Sequence, residues 1–393
     1  MISEGKTAAR RHLRQNWDLV RGVSTALHAD PEPAWKEVRA HRMLTGLLAD
    51  RGFAVERRAG GLDTAFHARA GNGPLHVAFV AEYDALPGLG HACGHNLIAA
   101  AAIGAALMVQ EVDAGQAVTV HVLGTPAEEG GGGKIVMLES GEFDGLDAAL
   151  MMHPGPVDAP RAEPMAVAHW RVTYRGVSAH AGAYPHLGVN AADAFTVAQV
   201  AIGLLRQQLM PGQMVHGIVT HGGQATNVIP GRAEMRYTMR ATDMSALREL
   251  EDRMAGCFSA GALATGCEHQ VTEIAPAYAE LAPDPWLSET IRAEMLRLGR
   301  NPLPENVEAS VPLGSTDMGN ISQVMPGIHP VIGIDSGGAA IHQPAFTAAA
   351  AGPSADKAVL EGAIMLARTV VRLAETPAER DRVLEALHRR AAA

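Results

Sequence analysis

The sequence predicts an α/β fold in which a mostly parallel sheet is interrupted by an inserted α+β domain. Three observations support this fold class. Short apolar runs alternate with helical segments early in the chain, as in a parallel sheet covered by helices. A middle segment has strands with one polar face, and the helix–strand alternation returns after residue 285. We therefore predict a catalytic domain formed by residues 1–162 and 276–393, with residues 163–275 inserted.

The elements of the first part follow from the spacing of apolar residues. Apolar side chains at helical spacing predict a helix within residues 31–52. Nearly continuous apolar runs predict strands buried on both faces at residues 76–81, 116–123 and 147–152. Helical segments at residues 96–112 and 133–138 separate these runs. Strands joined by helices in this order make a parallel sheet.

The inserted segment has a different pattern. Residues 168–174 alternate between apolar and polar side chains, which predicts a strand with one exposed face. The order strand, helix, strand, strand, helix, strand is that of a ferredoxin-like domain. Its later elements are predicted at residues 190–209, 214–220, 233–241, 245–263 and 268–274. The returning α/β part has predicted elements at residues 286–298, 331–334 and 355–373.

Composition and charge exclude several classes of protein. A chain of 393 residues with 47% apolar residues is long enough for two cores. A formal net charge of −10, with no Lys/Arg block, argues against nucleic acid or an anionic membrane as partner. Three cysteines do not make a disulfide scaffold. The apolar run 97–109 is shorter than the roughly 18 residues of a membrane span, and residues 1–18 contain no signal-peptide core. We expect a cytoplasmic protein.

Side chains that bind metals follow several of the strand-like runs. They are Glu82 and Asp84 leading to Cys93 and His95, then Glu128 and Glu129, then His153, and finally His342. Ligands of open α/β sheets gather outside the carboxyl ends of the strands, so these side chains should converge. Thiolate and imidazole suit zinc or a neighbouring transition metal. One of the two adjacent glutamates can bind metal while the other accepts a proton from water.

Each of these residues alone also has an ordinary structural explanation. Cys93 could be a small core residue, and the Glu128-Glu129 pair could be a solvated turn. His153 could be a buried histidine with satisfied hydrogen bonds, and Asp84 could cap a turn. The conjunction of all of them at successive strand ends favours a metal site.

Several motifs, taken in order, resemble the M20 metallopeptidase family. They are His91-Ala-Cys-Gly-His-Asn96, Gly124-Thr-Pro-Ala-Glu-Glu-Gly-Gly-Gly-Gly133, Gly176-Val-Ser-Ala-His-Ala181, Asn227-Val-Ile-Pro230 and His342. The chain is most similar to the amidohydrolase branch, which contains aminobenzoyl-glutamate, auxin-conjugate and hippurate hydrolases. Glu82-Tyr-Asp-Ala-Leu-Pro87 and Gly314-Ser-Thr-Asp-Met-Gly319 resemble the M20 domain-containing protein 2 type.

The resemblance implies roles for the catalytic-domain residues. It implies two divalent metal ions and a bridging water activated by Glu128 as general base. The implied metal ligands are Cys93, His95, Glu129, His153 and His342. Asp84 matches an aspartate that supports the ligands. Glu82 stands where the wider family has a metal-binding histidine, so whether Glu82 contacts metal stays open.

The resemblance also implies roles for the inserted domain. That domain usually dimerises, so a homodimer is expected. His180 is implied to stabilise the oxyanion, in its own or the partner's active site. Asn227 and Arg240 match positions that bind the polar or carboxylate end of the substrate.

The leading functional hypothesis is a metal-dependent hydrolase that cleaves the amide bond of an N-acyl amino acid, an N-aroyl amino acid or a dipeptide. An aminohydrolase that replaces an aryl amino group with hydroxyl needs the same residues and is the alternative. A third hypothesis, a catalytically inactive binding protein, would have lost the base or the ligands, and both are present. Zinc and manganese suit this ligand set best, and cobalt is tolerated.

Overall fold

The computed structural model describes residues 16–113, 116–308 and 314–391. The chain divides into two compact units, one of which comprises the residues up to Pro164 together with those from Leu281 onward. The other unit is Met165–Glu280 and is inserted into the first. Residues 1–15, which hold most of the segment predicted to lack a signal-peptide core, lie outside the described residues.

The first unit is built on a six-stranded sheet with the order β1-β2-β4-β3-β5-β11. The strands are β1 (Ala54–Arg57), β2 (Phe66–Ala70), β3 (Leu75–Glu82), β4 (Val118–Thr125), β5 (Ala148–Leu150) and β11 (Gly327–Ile328). The ladders from β4 through β3 and β5 to β11 are parallel, whereas β1 and β2 form an antiparallel edge. Because both faces of β3 and β4 are covered, nearly all their residues are buried.

The predicted strand over residues 147–152 is wrong in its extent. The chain leaves the main sheet after β5, and β6 (His153–Gly155) pairs in parallel with β12 (Val331–Gly333) in a separate ladder. Met151 and Met152 lie between the two strands and are fully buried. The apolar run therefore continues where the chain passes from one sheet to another. An apolar pattern alone does not predict where that passage occurs.

Helices of the first unit cover this sheet. They are α1 (Trp17–Ala29), α2 (Val38–Asp50), α3 (His95–Asp113) and α4 (Gly133–Glu139) before the insertion, and α7 (Pro285–Arg297), α8 (Glu305–Glu308), α9 (Met318–Val324), α10 (Pro344–Ala349), α11 (Pro353–Glu375) and α12 (Pro377–Ala391) after it. The helix predicted within residues 31–52 begins only at Val38, because the preceding loop holds Trp35 in a left-handed conformation, with φ of +65°.

Helix α3 lies in the core of the first unit. Among the described residues, the window His95–Val112 is long and apolar enough to cross a membrane by length and composition, so the apolar segment is longer than the sequence run suggested. However, 83% of that window is buried inside the protein. This burial is typical of the core helix of a globular domain.

The second unit is a four-stranded antiparallel sheet with two helices. Its elements are β7 (Ala166–Arg175), α5 (Ala191–Leu205), β8 (Met214–His221), β9 (Arg232–Ala241), α6 (Met244–Thr265) and β10 (Glu268–Tyr278). The strand order β10-β7-β9-β8 is that of a ferredoxin-like domain. Helix α5 ends at Leu205, four residues before its predicted end, and a short 3₁₀ turn follows at Arg206–Gln208. The predicted fold class is confirmed.

Candidate metal centre

The loops that follow the central strands bring the predicted site residues to one edge of the first unit's sheet. Strands β3 and β4 are parallel, and their last residues, Glu82 and Thr125, are partners in the ladder. The segment carrying Asp84 follows the end of β3, and Glu128 and Glu129 follow the end of β4. The topology of a parallel sheet therefore places these three carboxylates at the same edge.

Gly94 makes the turn between Cys93 and His95. Its φ is +78°, and a Cβ at this position would lie less than 3.0 Å from Pro154 Cγ. Only glycine fits both requirements without strain. The turn places Cys93 Sγ 3.4 Å from His153 Nε2. His342 joins the same region because its backbone N–H donates to the carbonyl of Ala92, at 2.9 Å.

The potential ligand atoms form overlapping groups, and within each group all atoms lie within 4.8 Å of one another. The groups are Cys93, His95 and His153; Cys93, Glu129 and His342; His95, Glu128 and Glu129; and Glu82, Glu128 and Asp317. The first three groups together contain all five implied ligands and the implied base. The structure therefore brings these six residues together.

Neighbouring acceptors orient the two buried histidines. His95 Nδ1 donates toward Asp84, whose carbonyl oxygen lies at 2.9 Å and whose Oδ1 lies at 3.1 Å. His153 Nδ1 donates to the carbonyl of Pro154, at 2.7 Å. Both rings thus present Nε2 as the ligand atom, a common arrangement of metal-binding histidines. Asp84 also accepts the backbone N–H of Glu129 at 3.0 Å and so supports two implied ligands.

The donor set fits a divalent cation. His95 Nε2 is buried and has no hydrogen-bond partner among the described residues, and a bound cation would satisfy it. The same atom lies 3.7 Å from Glu128 Oε2 and 3.6 Å from Glu82 Oε2. His342 Nε2 lies 3.1 Å from Glu129 Oε1. One thiol, three imidazoles and a carboxylate are ligands that zinc, manganese and cobalt accept.

Burial perturbs the acid–base behaviour of these groups. Burial raises the pKa of the Cys93 thiol well above its usual value. Burial, with the charges of Glu82 and Glu129, also raises the pKa of Glu128. Burial lowers the pKa of His153 to about 4, so that its ring is neutral. A cation reverses this effect for the thiol and the carboxylate, because it stabilises their charged forms.

Two buried residues beside the centre were missed in the sequence. Lys134 Nζ lies 2.5 Å from Glu82 Oε1 and 2.5 Å from Asp317 Oδ1, and all three side chains are buried. The backbone N–H of Lys134 also donates to Asp317 Oδ2, at 3.0 Å. Asp317 belongs to the motif over residues 314–319, which carried no assigned role. Its partner Lys134 directly follows the four glycines.

Glu37 was also missed. This fully buried carboxylate accepts hydrogen bonds from the backbone N–H of Ala127 and from Thr64 Oγ1, each at 2.9 Å. Ala127 precedes Glu128 and has a φ of +57°, which is uncommon for a residue other than glycine. Glu37 therefore holds the turn that presents the two glutamates.

The second unit contains the remaining predicted residues. His180 is exposed, and its Nδ1 accepts the backbone N–H groups of Gly182 and Ala183 at 3.2 and 3.1 Å. The N–H of Ala181 donates to the carbonyl of Asn227 at 2.9 Å, so the segments of His180 and Asn227 are adjacent.

Arg240 lies apart from that pair of segments. It is the register partner of Val167 near one end of the β7–β9 ladder, whereas Arg232 and Arg175 pair at the other end. The His180 and Asn227 segments adjoin this second end, since His180 follows β7 and Asn227 precedes β9. The structure thus brings His180 and Asn227 together and leaves Arg240 at the far end of the sheet.

The parallel sheet with a cysteine, histidine and glutamate cluster at its carboxyl edge defines the first unit as the domain of a metallohydrolase. The sequence profile of peptidase family M20/M25/M40 matches residues 78–372. The chain belongs to this family, as its motifs predicted, and is a hydrolase.

Two relatives in sequence and one solved structure support this assignment. The chain is 40% identical to the Xaa-Arg dipeptidase of Mus musculus over 390 residues, which cover 95% of this chain and 90% of the relative. It is 36% identical to one of the p-aminobenzoyl-glutamate hydrolase subunits of Escherichia coli (strain K12) over 258 residues, 60% of this chain and 53% of that one. The crystal structure of a dinuclear metal-binding M20 peptidase from Bacillus subtilis superposes with a TM-score of 0.68 and 21% identity, covering 91% of this chain and 99% of the other.

Proposed function

We propose that the protein hydrolyses the amide bond of a dipeptide, an N-acyl amino acid or an N-aroyl amino acid at a two-metal centre. Cys93, His95, Glu129, His153 and His342 hold the ions. One observation carries the proposal. These five side chains and Glu128 form three overlapping groups, and within each group all ligand atoms lie within 4.8 Å of one another. Two divalent ions there would polarise the amide carbonyl and lower the pKa of water.

The residues of the chain supply the remaining chemistry. Glu128 accepts a proton from water and passes it to the leaving nitrogen, because in the first three groups of ligand atoms it is the carboxylate without an assigned ligand role. Asp84 keeps the His95 ring in the orientation that presents Nε2 and holds the backbone of Glu129. We assign zinc or manganese as the physiological metal, with cobalt as a substitute, because the donor set combines a thiol with carboxylate oxygen.

The names of the relatives indicate which substrates to assay first. An Xaa-Arg dipeptide and p-aminobenzoyl-glutamate share an amide bond whose nitrogen belongs to an amino acid with a free carboxylate. The 40% identical relative covers nearly the whole chain, so dipeptides ending in arginine are the first choice. Release of a free amino acid supports the proposal, whereas release of ammonia from an aryl amine would assign the aminohydrolase alternative.

Two substitutions test the assignment of base and ligand. Glu128→Gln should keep the metal content and lose activity by about 10²–10⁴-fold, the usual contribution of a general base. Glu129→Gln should instead lower metal occupancy, measured by elemental analysis of the dialysed protein. If Glu128→Gln loses metal and Glu129→Gln keeps it, the two roles are reversed. If both variants keep metal and turn over substrate, the proposal is wrong.

We further propose that the protein is a homodimer through the second unit, with His180 donating to the oxyanion. Strand β8 is an edge strand, paired only with β9 in the described part of the chain. Val200 and Leu204 on α5 and Ile218 on β8 are more than 60% exposed. Open strand edges and apolar patches of this kind are commonly covered by a second copy.

The position of Arg240 supports a site shared between two copies. Arg240 lies eight residue steps along β9 from Arg232, a length of about 27 Å at the rise of an antiparallel strand. An extended dipeptide spans only about 7 Å. If His180, Asn227 and Arg240 all bind one substrate, as the resemblance implies, Arg240 must come from a different copy than the other two.

Mixed dimers test the shared site. Neither His180→Ala nor Glu128→Gln homodimers should turn over substrate efficiently, but a mixed dimer holds one site with both residues intact if His180 acts across the interface. Regained activity after subunit exchange supports the shared site. Absence of activity despite proven exchange would assign His180 to its own chain or to a structural role.

We place the protein in the cytoplasm, acting on a small-molecule amide without a nucleic-acid or membrane partner. The net charge of −10 supports the lack of a nucleic-acid or anionic-membrane partner, since polyanionic partners would be repelled. Cell fractionation with a tagged protein checks the location.

A further inference from the structure

A second group of carboxylates borders the metal centre. Oxygen atoms of Glu82, Glu128 and Asp317 lie within 4.8 Å of one another, and all three side chains are buried. Three oxygen ligands of this kind, taken alone, would suit a hard divalent ion such as Mn²⁺ or Mg²⁺.

Lys134 already occupies this group with a positive charge. Its Nζ lies 2.5 Å from Glu82 Oε1 and 2.5 Å from Asp317 Oδ1, with no exposed surface. A cation that binds both carboxylates through the same oxygens must therefore displace the ammonium group. Displacement is costly, because it would leave the buried ammonium group of Lys134 without a compensating negative charge.

The backbone fixes the lysine in this position. Lys134 is the second residue of α4, and its N–H donates to Asp317 Oδ2 while its side chain reaches Oδ1. Asp317 is thus held by main chain and side chain of one residue. Oε1 of Glu82 contacts the ammonium group of Lys134, and Oε2 of Glu82 lies 3.6 Å from His95 Nε2.

We propose that Lys134 is an internal counter-ion that excludes divalent ions from the Glu82–Glu128–Asp317 group. It is a positioning residue. It confines the metal to the Cys93 and His342 side of the centre, keeps Oε1 of Glu82 from binding metal, and keeps Glu128 available as a base. The inference rests on the proposed metal centre, but its test requires no turnover.

The test counts bound Mn²⁺ per chain, with free Mn²⁺ followed by electron paramagnetic resonance. Lys134→Met keeps the length of the side chain and removes its charge, so this variant should bind about one Mn²⁺ more than the wild type. Lys134→Met/Asp317→Asn removes a carboxylate as well and should return to the wild-type number. Lys357→Met, at an exposed lysine on α11, is the matched control and should not change the number.

The variant also tests whether a metal can replace the ammonium group during folding. Without the lysine, buried carboxylates repel each other, so Mn²⁺ should raise the Tm of Lys134→Met more than that of the wild type. The proposal is overturned if folded Lys134→Met binds the wild-type number of ions. It is also overturned if Lys134→Met fails to fold at any Mn²⁺ concentration, because the divalent ion then cannot take the place of the lysine. Failure of the proposed function would appear differently, as a wild-type protein that binds no metal or hydrolyses no amide.

Discussion

Replacing Gly94 by alanine should damage the metal centre through its backbone. The residue has a φ of +78°, a conformation that costs an alanine roughly 1–2 kcal/mol. The added Cβ would also lie less than 3.0 Å from Pro154 Cγ and 3.6 Å from the ring of Phe346. Pro154 follows the implied ligand His153, so relief of the clash must move the segment that holds a ligand.

The size of the effect follows from these two costs. Overpacking of a buried site typically costs about 1–3 kcal/mol, so the substitution should destabilise the first unit by roughly 2–5 kcal/mol in total. For a domain of this size each kcal/mol lowers Tm by about 2–4 °C. We expect Gly94→Ala to melt roughly 4–20 °C below the wild type and to bind less metal.

Gly88→Ala is the matched control for this substitution. Gly88 lies in the same loop with a φ of +75°, but a Cβ there meets nothing within 4 Å. It should therefore show only the conformational cost, about 1–2 kcal/mol, with unchanged metal content. The measurements are a thermal melt and elemental analysis of each variant. Equal melting temperatures and equal metal contents for the two variants would refute the argument from the contact with Pro154.

Two further predictions concern protons. Since burial raises the pKa of the Cys93 thiol, metal binding at pH 7 should release its proton, and Cys93→Ser should release about one proton fewer by calorimetry in buffers of different ionisation enthalpy. Burial, then the charges of His67 and His76, lowers the pKa of His121 to about 3, against 6.5 for a free histidine. The unfolded chain therefore binds more protons than the folded chain between pH 6.5 and about 3. The free energy of unfolding should accordingly decrease as the pH is lowered through this range, by up to about 1.4 kcal/mol per pH unit.

The controls separate these groups from the rest of the protein. Other buried histidines also lower acid stability, so the prediction for His121 is a difference: His121→Gln should flatten the dependence of Tm on pH between 6.5 and 4.5. The amide can still bond to His67 Nε2 and His76 Nδ1, which lie 2.8 and 3.1 Å from the ring nitrogens of His121. An unchanged slope would mean that His121 does not titrate differently in the folded state. For Cys93, proton release equal to that of the serine variant would contradict the prediction.

The sequence predicted the buried elements better than the exposed ones. Strand β3 was predicted to within one residue at each end and β4 to within two, because strands covered on both faces are continuous apolar runs. Strand β1 was missed because none of its residues is fully buried. Strand β2 was missed because it places His67 and Arg69 between apolar neighbours over only five residues.

The convergence of the implied ligands could be predicted because it depends on topology. Parallel strands end at one edge, so residues after β3 and β4 had to lie near each other. The supporting contacts have no such local signal. Lys134 and Asp317 are 183 residues apart in sequence, and Glu37 is 90 residues from Ala127. A buried ion pair between distant segments looks, in the sequence, like two ordinary surface charges.

The Lys134 contact gives a physical reason for the departure from the family pattern at position 82. A histidine there, as the resemblance implies for the wider family, would remove one of the two carboxylates that contact the buried ammonium group of Lys134 and leave the contact with Asp317. Glu82 instead supplies a second negative charge at 2.5 Å and completes the charge balance of the lysine. The pair with Lys134 holds Oε1 of Glu82, whereas Oε2 lies 3.6 Å from His95 Nε2. The glutamate at 82 and the lysine after the four glycines are therefore physically coupled, and neither is tolerated well without the other.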